Sequence, residues 1–304
     1  MDKEQLAEDL KSAVPGLCLR IDEPMCNHTS FRIGGPADIM VWPTSIGEVQ
    51  QVLRFIRGRR VPVYVMGNGS NLLVRDGGYR GVIIKLAENF SQITVEGTKL
   101  RAQVGASLAK LAGRACLAGL GGLEFASGIP GTLGGAIAMN AGAYGGEMAD
   151  VLREVTCCDF DGNLYRFSRD ELELGYRTSR VRREGYIALE ALLELIPEKP
   201  TVIRAKMKEL NRRRREKQPL HLPSAGSTFK RPPGHYAGKL IDDAGLRGYT
   251  HGRAQVSEQH CGFVVNLGGA TAKEVLELIE IVRQRVWEKF RVGLELEVQV
   301  IGED

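Results

Sequence analysis

Two glycine-rich segments about sixty residues apart constrain this chain more than any other feature: Met66-Gly67-Asn68-Gly69-Ser70-Asn71-Leu72-Leu73 and Ser127-Gly128-Ile129-Pro130-Gly131-Thr132-Leu133-Gly134-Gly135-Ala136. In the first, an apolar run from Val61 to Met66 ends in a turn where alternate glycines permit positive φ and expose successive backbone N–H groups. Ser70 and Asn71 add side-chain donors, so the turn reads as a nest for an anion. In the second, six glycines from Gly128 to Gly145, with Asn140 the main polar side chain, let the backbone lie directly against a large flat ligand. Together the two describe a diphosphate cradle.

The first segment lacks the Gly-x-x-x-x-Gly-Lys-Ser/Thr order, so no lysine reaches a terminal phosphate and no hydroxyl holds magnesium. It is no dinucleotide fingerprint either. Gly67-x-Gly69 has no third glycine at the required offset, and Leu72 to Gly78 reads as a short strand and turn instead of a long helix. Alone, a Gly-x-Gly is most simply a loop between strands; the second segment shifts the balance to ligand binding.

At 304 residues, 43% hydrophobic and 26% charged, the chain has room for two or three domains of ordinary globular composition. A net charge of +4 suits an anionic small molecule without demanding nucleic acid. Met1 to Lys11 has no apolar signal core, and no apolar run approaches the roughly 20 residues that span a bilayer, so a cytoplasmic protein with no membrane partner is expected. The six cysteines, Cys18, Cys26, Cys116, Cys157, Cys158 and Cys261, show no Cys-x-x-Cys pair and no histidine at zinc spacing. Free thiols and no metal are expected.

The pattern mixes short strands with helices. Ile39 to Val41 predicts a strand; Ser45 to Gly58, with a capping serine and Val49, Val52, Leu53 and Ile56 at helical spacing, predicts a helix; Val61 to Val65 predicts the next strand. Strands follow over Val82 to Leu86, Ile93 to Glu96 and Leu100 to Val104, then a helix from Leu108 to Ala118 ending at Gly119. Val155 to Phe160 and Leu164 to Phe167 flank Asp161-Gly162-Asn163 as a hairpin. Pro197 and Pro200 mark a boundary. Beyond it come a basic helix over Ile203 to Glu216, an amphipathic helix over Ala272 to Phe290 and an alternating strand over Leu294 to Val300.

The basic helix carries Arg204, Lys206, Lys208 and Arg212 to Arg215, and its simplest reading is a solvated face. It has no interleaved aromatic platforms of the kind nucleic acid requires. Tyr176-Arg177 and Ser224 to Lys230 are loop-like, where sites concentrate, yet each taken alone is an ordinary turn. Alternation puts Glu295 and Glu297 on one face, by default the solvent face.

Their joint order carries more. Asn27-His28-Thr29-Ser30-Phe31-Arg32-Ile33-Gly34-Gly35-Pro36-Ala37, the two glycine segments, Tyr176-Arg177, Ala225-Gly226-Ser227-Thr228-Phe229-Lys230 and Leu294-Glu295-Leu296-Glu297-Val298 resemble, over residues 20 to 302, the UDP-N-acetylenolpyruvoylglucosamine reductases, flavoenzymes of peptidoglycan synthesis. The resemblance implies an α+β chain whose two N-terminal domains, 1–86 and 87–199, bind FAD non-covalently in the vanillyl-alcohol-oxidase (PCMH) manner, with a C-terminal substrate domain at 200–304. Cofactor contacts would come from Met66, Gly67, Asn68, Gly69, Ser70, Asn71, Leu72, Gly128, Ile129, Gly131, Thr132, Gly134, Gly135, Asn140 and Gly142. NADPH would be the reductant and UDP-N-acetylglucosamine enolpyruvate the substrate.

Carried over position by position, Arg177 binds the substrate carboxylate, Glu297 assists its polarisation and Ser227 gives the proton. Tyr176, Lys217 and Lys230 position the sugar diphosphate. No long insertion separates Tyr176-Arg177 from Ser227, which resembles the shorter class that lacks a tyrosine-bearing loop; Arg231 to His235 is a substitute rim, with His235 and Tyr236 lacking assigned roles. A monomer is favoured. Two rivals stay open: another flavin oxidase or dehydrogenase on the same fold, and a non-catalytic nucleotide or nucleic-acid binder using the basic helix.

Overall fold

The computed structural model describes residues 2–304. Two compact units emerge, and each takes up more than one stretch of chain: residues 1–21, 39–68 and 81–214 form the first, and residues 22–38, 69–80 and 215–304 the second.

In the first unit, the helix Ile46–Ile56 starts where Ser45 Oγ accepts from the Glu48 amide at 3.2 Å, and its spaced apolar residues Val49, Val52, Leu53 and Ile56 are all buried. The strand Val63–Met66 that follows runs parallel to the next, Val63 opposite Val82 and Met66 opposite Lys85. A five-stranded antiparallel sheet has the order Leu164–Ser168, Leu152–Cys158, Ile187–Glu194, Lys99–Gln103, Ile93–Glu96. Its hairpin turns as the sequence predicts, because Asp159 Oδ1 accepts from the amides of Asp161 and Asn163 at 2.9 Å each and Gly162 takes φ +85°. The helices Leu108–Leu117 and Leu133–Ala138 and the sheet share one apolar core that includes Leu100, Leu111, Leu133, Ile137 and Leu189.

The second unit has a four-stranded antiparallel sheet in the order Ser224–Ser227, Phe263–Asn266, Ala254–Val256, Thr250–His251. The helix Ala272–Phe290 packs Val275, Leu278, Ile279, Val282 and Val286 into this unit's core. Its start is fixed twice: Thr271 and Glu274 form a capping box, and the Asp76 carboxylate accepts from the amides of Ala272 and Lys273 at 2.8 and 3.0 Å.

The strand expected over Leu294 to Val300 is shorter. Only Gln299–Ile301 forms a ladder, parallel to Leu72–Val74, with an isolated bridge from Leu296 to Phe229. The reason is a tertiary contact: the amides of both Glu297 and Val298 turn to the Thr228 carbonyl, at 2.9 and 3.4 Å, which breaks the alternation a regular ladder needs.

Candidate active site

In the first unit the strand Val63–Met66 ends at Gly67, and the structure gives that glycine a reason other than positive φ. A Cβ placed there would lie 2.1 Å from Thr132 Oγ1, so the Thr132 side chain of the second glycine segment packs directly against the bare Gly67. Positive φ falls instead on Gly69, at +60°. The second segment is pinned from behind: the Leu133 amide donates to the Ala106 carbonyl and the Gly134 amide to the Val104 carbonyl, both at 2.9 Å. Those two donors are therefore used in holding the segment. A Cβ added to Gly135 would meet nothing within 4 Å, so the short helix Leu133–Ala138 presents bare backbone beside open space. Close glycine approach and an open glycine face are features a flavin dinucleotide needs, and the residues present fit FAD in this respect.

Asn140 is held by protein partners at both ends of its side-chain amide. Its side chain is buried; Oδ1 accepts from the Ala149 amide at 3.0 Å and Nδ2 donates to the Gly175 carbonyl at 3.3 Å. The second bond fixes the turn that carries Tyr176 and Arg177. Gly175 and Thr178 exchange backbone hydrogen bonds at 3.1 and 3.2 Å, leaving Tyr176-Arg177 as a two-residue tip with Arg177 at φ +55°. Arg182 Nη1 donates to the Arg177 carbonyl at 3.0 Å, and Ser179 Oγ donates to the Ala138 carbonyl at 3.0 Å. The half-buried Arg177 guanidinium lies 5.2 Å from the centre of the exposed Tyr176 ring. Arg182 and Ser179 were not singled out from sequence, although Ser179 ahead of Arg180–Arg183 is a capping signal, and its hydroxyl does accept from the Arg182 amide.

In the second unit, Ser227 ends a strand that is irregular against its neighbour: register shifts between the pairs Ser224–Val265 and Ser227–Phe263, and Gly226 sits at φ +78°. Such a bulge re-aims the side chain that follows it. The next residue, Thr228, is buried, and its Oγ1 accepts from the Val264 amide at 3.0 Å while its carbonyl accepts from the Glu297 amide at 2.9 Å. Asn71 Nδ2 donates to the Glu297 carbonyl at 3.0 Å. Thus Ser227 and the half-buried Glu297 are brought to neighbouring backbone through one residue, and Asn71, in the same unit, holds Glu297 from its carbonyl side. Ser30 joins them: its amide donates to the Gly69 carbonyl at 3.2 Å and its hydroxyl to the Ser224 carbonyl at 2.6 Å.

Leu72 is buried in its short strand. The Lys230 ammonium is paired with Glu295 at 3.0 Å, so it reaches an anion only by exchanging that exposed partner. Lys217 is exposed at the end of the helix Pro200–Lys217, and Tyr236 is exposed with the Arg231 guanidinium 4.0 Å from its ring centre.

Residues 218–301 match the family model described as the C-terminal domain of UDP-N-acetylenolpyruvoylglucosamine reductase, and residues 37–168 match the model of an FAD binding domain. A UDP-N-acetylenolpyruvoylglucosamine reductase of Alkaliphilus oremlandii (strain OhILAs) is 51% identical over 304 residues, covering 100% of both chains. The solved UDP-N-acetylenolpyruvylglucosamine reductase of Thermus caldophilus is 38% identical, covering 94% of this chain and 99% of its own, with a TM-score of 0.80. A variant of berberine bridge enzyme is similar in fold alone: 16% identity, TM-score 0.51, covering 63% of this chain and 43% of its own.

Proposed function

The chain belongs to the UDP-N-acetylenolpyruvoylglucosamine reductase family, and on that footing we propose that it reduces UDP-N-acetylglucosamine enolpyruvate to UDP-N-acetylmuramate in the cytoplasm, with NADPH as the reductant. It is an FAD oxidoreductase with an FAD-binding fold of the vanillyl-alcohol-oxidase type. When bound, FAD supplies the hydride that leaves NADPH and reaches the terminal vinyl carbon of the sugar's enolpyruvyl ether.

The chain's own residues do the remainder. Arg177 takes the substrate carboxylate in its planar fork and stabilises the negative charge that builds up as the vinyl carbon is reduced. Glu297 assists that polarisation, a role that requires it to hold or share a proton. Ser227 gives its hydroxyl proton to the carbon next to the carboxylate, which completes the lactyl ether; a serine hydroxyl serves as the acid because the carbon it protonates is strongly basic and held within hydrogen-bond reach. Tyr176, Lys217 and Lys230 position the sugar and its diphosphate. Net, one hydride and one proton add across a carbon–carbon double bond.

The observation that carries this reading is the tie between Ser227 and Glu297: the carbonyl of Thr228, adjacent to Ser227, accepts from the Glu297 amide, and the bulge at Gly226 sets how Ser227 is presented. We propose the sequence segments 1–86 and 87–199 as the FAD-binding modules and 200–304 as the substrate module; the two family matches, ending at residue 168 and starting at residue 218, favour a boundary between them, while the FAD-binding match runs unbroken across residues 86 and 87. The test is steady-state oxidation of NADPH by the purified protein, with the product identified by mass. Oxidation that requires the enolpyruvyl sugar and yields a species two hydrogens heavier is expected; oxidation indifferent to the sugar would overturn the substrate.

A further inference from the structure

Among the charged residues of the helix Pro200–Lys217, one departs from the solvated face that the basic run suggests. Glu209 takes both Arg212 and Arg213, at 2.9 and 2.7 Å, on the exposed side, and Lys206 lies 3.7 Å from Glu124. Arg214 turns inward instead. Its Nε is shut off from solvent and has no hydrogen-bond partner; among the described residues only Gln218 Oε1 shares that condition. Burial pulls its guanidinium below the ordinary arginine value, and Tyr144 works against that pull.

What lies beside Arg214 is the start of the second glycine segment. A Cβ on Gly128 would sit 2.3 Å from Asn211 Oδ1 and 3.2 Å from Arg214 Cδ, so this turn of the helix is laid flat against the Gly128 backbone, and any side chain at residue 128 would push it away. Ser127 Oγ, donating to the Glu124 carbonyl at 2.9 Å, fixes the same corner. The sequence thus keeps a glycine where the helix must come close, and brings to that spot a permanently charged donor with an unfilled hydrogen-bonding direction. A buried donor left unmade is costly, and a buried cation more so, unless a ligand completes it. Arg214 lies outside both family-model matches, in the stretch between residues 168 and 218.

We propose that Arg214 is a cofactor-binding residue, its Nε–H donating to an oxygen acceptor of FAD at the Gly128 end of the glycine segment. This rests on FAD being the cofactor. Two parts of FAD carry such acceptors: the diphosphate, and the pyrimidine-dione edge of the flavin, which gains negative charge on reduction. Arginine fits both, since its planar fork holds its charge at every working pH.

The test compares wild type with R214M and R214K, both freed of flavin, in three measurements: thermal melting of the apoprotein, FAD titration by quenching of flavin fluorescence, and the reduction potential of the bound flavin. Wild type binding FAD establishes the underlying reading separately; if it binds none, the cofactor assignment fails before Arg214 is judged. The apo variants should melt no lower than apo wild type, because Nε has no partner to lose. If the acceptor is the diphosphate, both variants should lose about tenfold or more in FAD affinity while keeping wild-type affinity for riboflavin, which has no phosphate. If it is the flavin edge, R214M should shift the potential to more negative values. R214K, which keeps the charge and the aliphatic stem but lacks Nε–H, serves should R214M fail to fold. Wild-type FAD affinity and potential in the variants would overturn the proposal, as would an FAD loss that merely follows a lowered apo melting temperature.

Discussion

Asn71 Nδ2 donates to the carbonyl oxygen of Glu297 at 3.0 Å, across 226 positions of sequence. The Glu297 amide donates in turn to the Thr228 carbonyl, so this glutamate is fixed through the peptide units on both sides of its Cα. Asn71→Ala removes one of the two restraints, a hydrogen bond worth about 1 kcal/mol, and should lower turnover with the enolpyruvyl sugar about fivefold at saturating FAD. Unchanged turnover with the enolpyruvyl sugar would show that Glu297 needs no such support.

Ser227→Ala isolates the proton. The variant should retain FAD and its reduction by NADPH yet lose turnover by about 10² to 10⁴, the usual worth of a positioned general acid. Full turnover in Ser227→Ala would assign the proton to another group.

Gly67→Ala tests close approach between the glycine segments. Its methyl would fall 2.1 Å from Thr132 Oγ1, and overpacking of this kind costs about 1–3 kcal/mol. The apoprotein should melt lower and hold FAD more weakly, and adding Thr132→Ala should recover part of both losses. A single variant with wild-type melting and FAD affinity would mean that the segments separate freely.

Stability at alkaline pH follows from the buried thiols. Burial, then the neighbouring Cys158, pushes the Cys157 thiol from 9.0 up to about 12, and burial pushes Cys158 and Cys261 up to about 11. The folded protein therefore holds thiol protons that the unfolded chain releases above pH 9, so this contribution is whole below that value and is lost as pH rises through about 11 to 12. Melting temperature should be level with respect to these groups up to about pH 9 and fall beyond it, and Cys157→Ala with Cys158→Ala should flatten the fall. An equal fall in that double variant would place the alkaline sensitivity elsewhere.

Helices were the most legible part of the sequence. Ser45 with Val49, Val52, Leu53 and Ile56, and the 3.6-residue apolar stripe over Ala272 to Phe290, signal elements whose periodicity is local. The hairpin at Asp161-Gly162-Asn163 was legible for the same reason. What periodicity missed depends on distant partners. Leu294 to Val298 alternates like a strand, but Thr228 takes two successive amides from it, and nothing within those five residues signals that. Gly67 reads as a glycine needed for φ when it is needed for space, since Thr132 arrives from sixty-five positions away. Arg214 is hidden among seven other basic residues of its helix, and only burial separates it from them.

The central claim is reduction of an enolpyruvyl sugar through the flavin, and anaerobic stopped-flow absorbance of the wild-type protein tests it most directly. The protein is first reduced with one equivalent of NADPH and then mixed with UDP-N-acetylglucosamine enolpyruvate. Rapid return of the oxidised flavin spectrum, with UDP-N-acetylmuramate formed in equal amount, is the predicted result. A flavin that NADPH reduces and the sugar leaves reduced would contradict it.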